Sequence, residues 1–246
     1  MKRFFKLYWI EQKLGFRCCD GIIFGVAMPV GILVLIAIIA GEKMAGGMGY
    51  TYLESAFASL IAVGICACAF MGLPLTIADY RDKKILKHFF VTPCSPTWIL
   101  GAVLVCNSVT AILSAISVTA VAVIGLGYQM KGSVLVFIGT WLLTLISMLS
   151  IGMMLASLCQ TIKSTNAVTS AVYFPMLFLS GATIPYELFP TGLQKVASVL
   201  PLTQGIKLMK EASMGIQMDS LMGRVILLLS ITVICSVISI KTFKWE

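Results

Sequence analysis

Residues 55–78 read SAFASLIAVGICACAFMGLPLTIA, 24 consecutive positions without Asp, Glu, Lys or Arg. Crossing a hydrocarbon core of about 30 Å takes about 20 helical residues. A segment in lipid must also satisfy its own backbone hydrogen bonds. The stretch therefore predicts a membrane-spanning helix. Working outward, similar runs occupy 21–40, 98–126, 132–158, 165–184 and 222–242. Only the last holds charges, Arg224 and Lys241, placed near its ends where long cationic side chains reach the interface.

Composition agrees with this pattern. Of 246 residues, 59% are hydrophobic and 11% charged, and the mean hydropathy is +1.00. A soluble domain carries roughly 25% charged residues. The reading is an all-α integral membrane protein with six transmembrane helices, forming one domain over residues 1–246.

The net charge of +8 does not point to nucleic acid, because the basic residues sit in short loops rather than on one soluble face. Their distribution gives an orientation instead. With both termini inside, the cytoplasmic segments hold Lys2, Arg3, Lys6, Lys13, Arg17, Arg81, Lys83, Lys84, Lys87, Lys163, Lys241 and Lys244. The outer ones hold Lys43, Lys131, Lys195, Lys207 and Lys210. That excess places both ends in the cytoplasm of a bacterial-type cell membrane.

Eight cysteines fall mostly in or beside apolar runs, where cysteine acts as a small hydrophobe. Cys66 and Cys68 diverge by about 200° on a helix, and His88 is the sole histidine, so a metal centre is disfavoured. Cys18 and Cys19 border a span and are read as plain juxtamembrane residues beside an acylation alternative. No phosphate loop occurs, since Lys163-Ser164 lacks the preceding glycines, so the chain binds no ATP by that route. No G-x-S-x-G elbow occurs either. The predicted spans also lack the mid-membrane charges that ion-coupled carriers use. Neutral polar residues remain, among them Asn107, Ser108, Thr110, Ser114, Ser117 and Thr119 on one span and Asn166, Thr169 and Ser170 on another. They read as interhelical hydrogen-bonding groups, with a substrate-facing surface as the alternative.

Three further segments matter. Residues 1–20 open with MKRFFKLYWIEQKLG, whose Lys2, Lys6, Lys13 and Arg17 fall within about 60° on a helical wheel. Phe4, Phe5 and Tyr8 occupy a different sector, as in an interfacial helix on the cytoplasmic leaflet. Residues 79–97, DYRDKKILKHFFVTPCSPT, place Ile85, Leu86, Phe89 and Phe90 on one helical face, with Pro93 and Pro96 ending the helix. Residues 185–205 are cut by Pro185, Pro190 and Pro201, and Thr191 and Gln194 have capping-box spacing. This last segment is apolar but too short to cross, so it is expected to re-enter the outer leaflet.

At this point the layout resembles the permease subunit of a type-2 ABC exporter, the ABC-2 membrane family. ILKHFFVTPCSP at 85–96 resembles that family's coupling-helix region and its T-P-x-S-P turn. FPMLFLSGATIPYELFPTGLQKVASVLPLTQ at 174–204 resembles its P-M-x-F-x-S-G helix end, short outer helix and terminal P-L-T. Leu200 stands where many members have Asn, a departure that bears on the polarity of an outer gate.

The resemblance implies two permease chains around a central path, as homodimer or heterodimer, bound to ABC ATPase subunits that carry ATP and magnesium. It implies docking of Ile85, Leu86, Phe89 and Phe90 into the ATPase. It also implies an outer gate near Pro185, Phe189, Pro190, Leu200 and Pro201. The chain itself would hold no cofactor and catalyse nothing. Export of an amphipathic drug, peptide or glycolipid follows by analogy. A non-transporting scaffold or sensor coupled to an ATPase is the alternative. An ion channel is weakened by the lack of a filter motif.

Overall fold

The computed structural model describes residues 2–17, 23–40, 51–85, 96–181, 189–216 and 221–243. Among them the extended elements are all helices. Helix α1 is Lys2–Arg17; α2 is a π turn Ile23–Ala27 continued by Met28–Ala40; α3 is Tyr52–Asp82. Helix α4 is Pro96–Ala120 continued by a π turn Val121–Gly125; α5 is Val134–Leu158; α6 is Ile162–Leu179. Helices α7 (Thr191–Val199), α8 (Pro201–Met214) and α9 (Leu221–Thr242) complete the chain.

Four of these helices, α3, α4, α5 and α9, are long and apolar enough to cross a membrane, while Gly25–Ile39 is a shorter apolar helix. The run expected at 165–184 begins earlier, as α6 from Ile162, because Thr161 caps it: its Oγ1 accepts from the Ser164 N–H at 3.2 Å. Residues 182–184 lie outside the described residues.

Helix α3 is the axis. Of its most apolar window 78% is buried, against 11% for α9. It touches α2, α4, α5, α6 and α8, while α5 holds α8 and α9 against its other sides. Thr51 and Glu54 start α3 with a capping box, the Thr51 N–H donating to Glu54 Oε2 at 2.8 Å. Pro74 does not break the helix. A π turn at Cys68–Gly72 precedes it, with the Leu73 N–H reaching back to the Cys68 carbonyl, and the helix runs on to Asp82. Such a turn absorbs the local strain that proline imposes on the hydrogen-bond ladder.

In lipid, apolar helices gain little from burial as such, and close packing over small residues holds them together. Gly152 of α5 faces the carbonyl oxygen of Ala69 inside the α3 π turn, where a Cβ would come to 2.1 Å. The two backbones meet there because no side chain intervenes. Four polar residues of α4 depart from the expected interhelical pattern. Ser108, Thr110 and Ser117 donate to the carbonyls of Leu104, Cys106 and Leu113, and Asn107 to that of Val103. On a helix the i−4 carbonyl is always within reach, so these groups satisfy themselves locally.

Candidate functional site

Two ends of the bundle carry the predicted site residues. At the first, α3 finishes in Asp79-Tyr80-Arg81-Asp82. Tyr80 donates its hydroxyl to Glu11 Oε2 at 2.5 Å, tying α1 to α3. Phe4 packs by Gly101, so α1 lies against the start of α4 while Phe5 and Trp9 stay exposed. Burial keeps the Glu11 carboxyl above its ordinary value, and the Tyr80 hydrogen bond only partly offsets this.

Arg81 is buried, and its Nη1 donates to the carbonyls of Ala156 at 2.7 Å and Cys159 at 2.6 Å. Its guanidinium carbon sits 4.6 Å from the Phe243 ring centroid. Next to it, Asp82 Oδ2 accepts from the Ile162 N–H at 3.1 Å. By charge count alone Arg81 is an inside-loop cation. A charge pair closing a long apolar run was the available signal, but its partners are more than seventy residues away in sequence.

Beyond Asp82 the chain turns at Lys83 and Lys84, the latter with φ 56°, and Ile85 packs half-buried against the core. Leu86, Phe89 and Phe90, with His88, lie outside the described residues, as do Cys18 and Cys19. Pro96 opens α4, a first-turn position where proline's missing N–H costs nothing.

At the other end the expected gate residues separate. Pro185 lies outside the described residues. Phe189 is half-buried and Pro190 exposed, and Pro190 rather than Thr191 precedes the first turn of α7. The expected capping box is therefore absent. Thr191 is already helical, and Gln194 Nε2 donates instead to the Phe189 carbonyl at 2.9 Å. Leu200 is extended, with φ −68° and ψ 129°, and Pro201 is buried as the first residue of α8. Gln204 bridges the corner by donating to the Ser198 carbonyl.

Lys207, Lys210 and Glu211 interrupt the apolar pattern of α8, and only its first residues fall in the segment expected to re-enter the outer leaflet. It is the better buried of the pair: Leu202, Thr203, Ile206, Leu208 and Met209 are all enclosed, packed against α3 and α5. Its far end is locked. Lys131 and Gly132 donate backbone N–H groups to the Ser213 carbonyl at 3.2 and 3.1 Å. Gly132 is essential to that approach, since a Cβ there would strike the Ala212 carbonyl oxygen. Lys131 Nζ meets Glu54 at 2.6 Å, and Arg224 of α9 meets Glu211 at 2.6 Å with both side chains mostly buried. Nearby, α4 and α5 diverge around an apolar groove of about 700 Å³ floored by Phe57 and walled by Ile116, Val123, Phe137 and Trp141.

Long apolar helices with charged, interlocked ends define a multi-pass membrane protein. The chain belongs to the ABC-2 type transporter family, whose model matches residues 1–214. It is 29% identical over 173 residues to the Escherichia coli protein named "Probable multidrug ABC transporter permease YbhR", covering 66% of this chain and 46% of that one. It is 27% identical over 199 residues to Nodulation protein J of Neorhizobium galegae, covering 78% and 70% respectively. The inner membrane transport permease YhhJ of Escherichia coli is 25% identical over 129 residues, 52% of this chain and 34% of that protein. The chain thus spans about half the length of YbhR.

Proposed function

We propose that this chain is the membrane-spanning subunit of an ATP-driven exporter that moves an amphipathic substrate, a drug, peptide or glycolipid, outward with energy from a separate ATPase. The family match over residues 1–214 carries this reading. It is supported by relatives named as multidrug and inner membrane transport permeases. In this reading the chain crosses six times with both termini cytoplasmic, pairs with a second permease chain, and docks an ATPase through Ile85, Leu86, Phe89 and Phe90. ATP and magnesium belong to that partner. Helix α7 and the Leu200-Pro201 corner serve the outer gate.

The test is copurification from membranes, followed by reconstitution. Phe89→Asp or Leu86→Asp is expected to insert normally and to lose the ATPase, because a carboxylate in an apolar docking face is costly to desolvate. Retention of the ATPase by both variants removes the docking assignment. Vesicles that hydrolyse ATP yet move no amphipathic dye or peptide would favour a scaffold over an exporter.

A further inference from the structure

The end of α3 contains two adjacent, oppositely charged residues whose partners are the two sides of a single turn. Arg81 takes the carbonyls of Ala156 and Cys159 at the C-terminal end of α5, and Asp82 takes the Ile162 N–H at the N-terminal end of α6. Each charge matches the helix end it meets, a cation on free carbonyls and an anion on free N–H groups. Thr161 caps the Ser164 N–H of the same α6 turn, so Asp82 supplies a second, independent cap from another helix.

Stability alone does not account for Arg81. Among the described residues no carboxylate pairs with this buried guanidinium, and its Nε and Nη2 have no acceptor. Two carbonyls and the Phe243 ring offset only part of the cost of removing the cation from water. A buried charge that stabilises poorly is best attested where it fixes one of two arrangements. Position makes that role concrete. Only Lys83 and Lys84 separate Asp82 from Ile85, and Lys84 adopts a left-handed turn. Hydrogen bonds of 2.6 to 3.1 Å are lost by a shift of about 1 Å, so a displacement at Ile85 that reaches Asp82 either drags the α5–α6 turn or breaks it free.

We propose that Arg81 and Asp82 are positioning residues that transmit displacement at Ile85 to the α5–α6 turn and, through Phe243, to the end of α9. This inference rests on the ATPase-coupled reading given above. The clamp gives α5 a direct mechanical link to the ATPase-facing side, and α5 in turn carries α8.

The test is hydrogen–deuterium exchange on the copurified permease–ATPase complex, with and without ATP and vanadate. Wild type is expected to show a nucleotide-dependent difference at residues 156–165 and 201–214. Asp82→Ala and Arg81→Met are expected to lose that difference in both stretches while the ATPase keeps its own. Asp82→Asn retains an acceptor oxygen and is expected to restore it. A purely structural role would raise exchange equally in both nucleotide states and leave the difference intact, which would overturn the proposal. Should Arg81→Met fail to fold, Asp82→Ala decides the outcome, since Asp82 is exposed and gives up one hydrogen bond. If wild type itself binds no ATPase or shows no nucleotide-dependent difference, the coupled reading fails, and the clamp's role fails with it. If wild type responds and the variants respond alike, the clamp alone is wrong.

Discussion

A methyl group at position 152 would lie 2.1 Å from the Ala69 carbonyl oxygen, whereas one at Gly139 on the same helix meets nothing within 4 Å. Helix propensity favours alanine at both by about 1 kcal/mol, so the contrast isolates packing. Gly152→Ala is expected to destabilise by about 1–3 kcal/mol through forced separation of α3 and α5. Gly139→Ala is expected to be neutral or stabilising, as read from thermal unfolding in detergent. The Arg224–Glu211 pair permits a second comparison, because both side chains are mostly buried. Arg224→Met leaves Glu211 desolvated without its cation and is expected to cost about 2 kcal/mol. The double change Arg224→Met with Glu211→Leu is expected to recover most of it, since matched apolar replacements of buried pairs are often tolerated.

At the scale of elements, α1 docks through a titratable contact. The Glu11 carboxyl is raised above its ordinary value near 4.5 by burial, so the docked state favours the protonated form. Its contribution is therefore fully present below that value and is lost as pH rises through the elevated pKa. Glu11→Gln, neutral throughout, is expected to gain stability over wild type as pH rises and to match it in acid. Melting curves of the two proteins across pH would show this. Helix α8 illustrates why element assignment from sequence stopped where it did. Its charges fall from the middle to the far end, where Glu211 meets Arg224, while Leu202, Ile206, Leu208 and Met209 are buried in a protein groove rather than lipid. A hydropathy window averages these two environments. The long spans were legible because lipid imposes the same requirement on every position along them.

For the molecule as a whole, the near-complete burial of α3 and the bare surface of α9, with Ile226, Val233 and Ile240 exposed, set a centre and a periphery. The proposed topology, with both termini cytoplasmic, rests on basic-residue asymmetry. A green fluorescent protein fused after Glu246 is expected to fluoresce, and alkaline phosphatase fused there to be inactive; the reverse pattern would invert the topology. By itself the sequence determined the membrane class, the principal apolar helices and the family, since these depend on length, composition and local motifs along one stretch of chain. Only the tertiary structure decided that α8 is core and that Arg81 and Asp82 grip the α5–α6 turn. It also decided that Ser108, Thr110 and Ser117 of α4 bond their own helix. These facts depend on which carbonyls and N–H groups meet across seventy or more residues or within a folded turn, and no periodicity in the chain encodes such meetings.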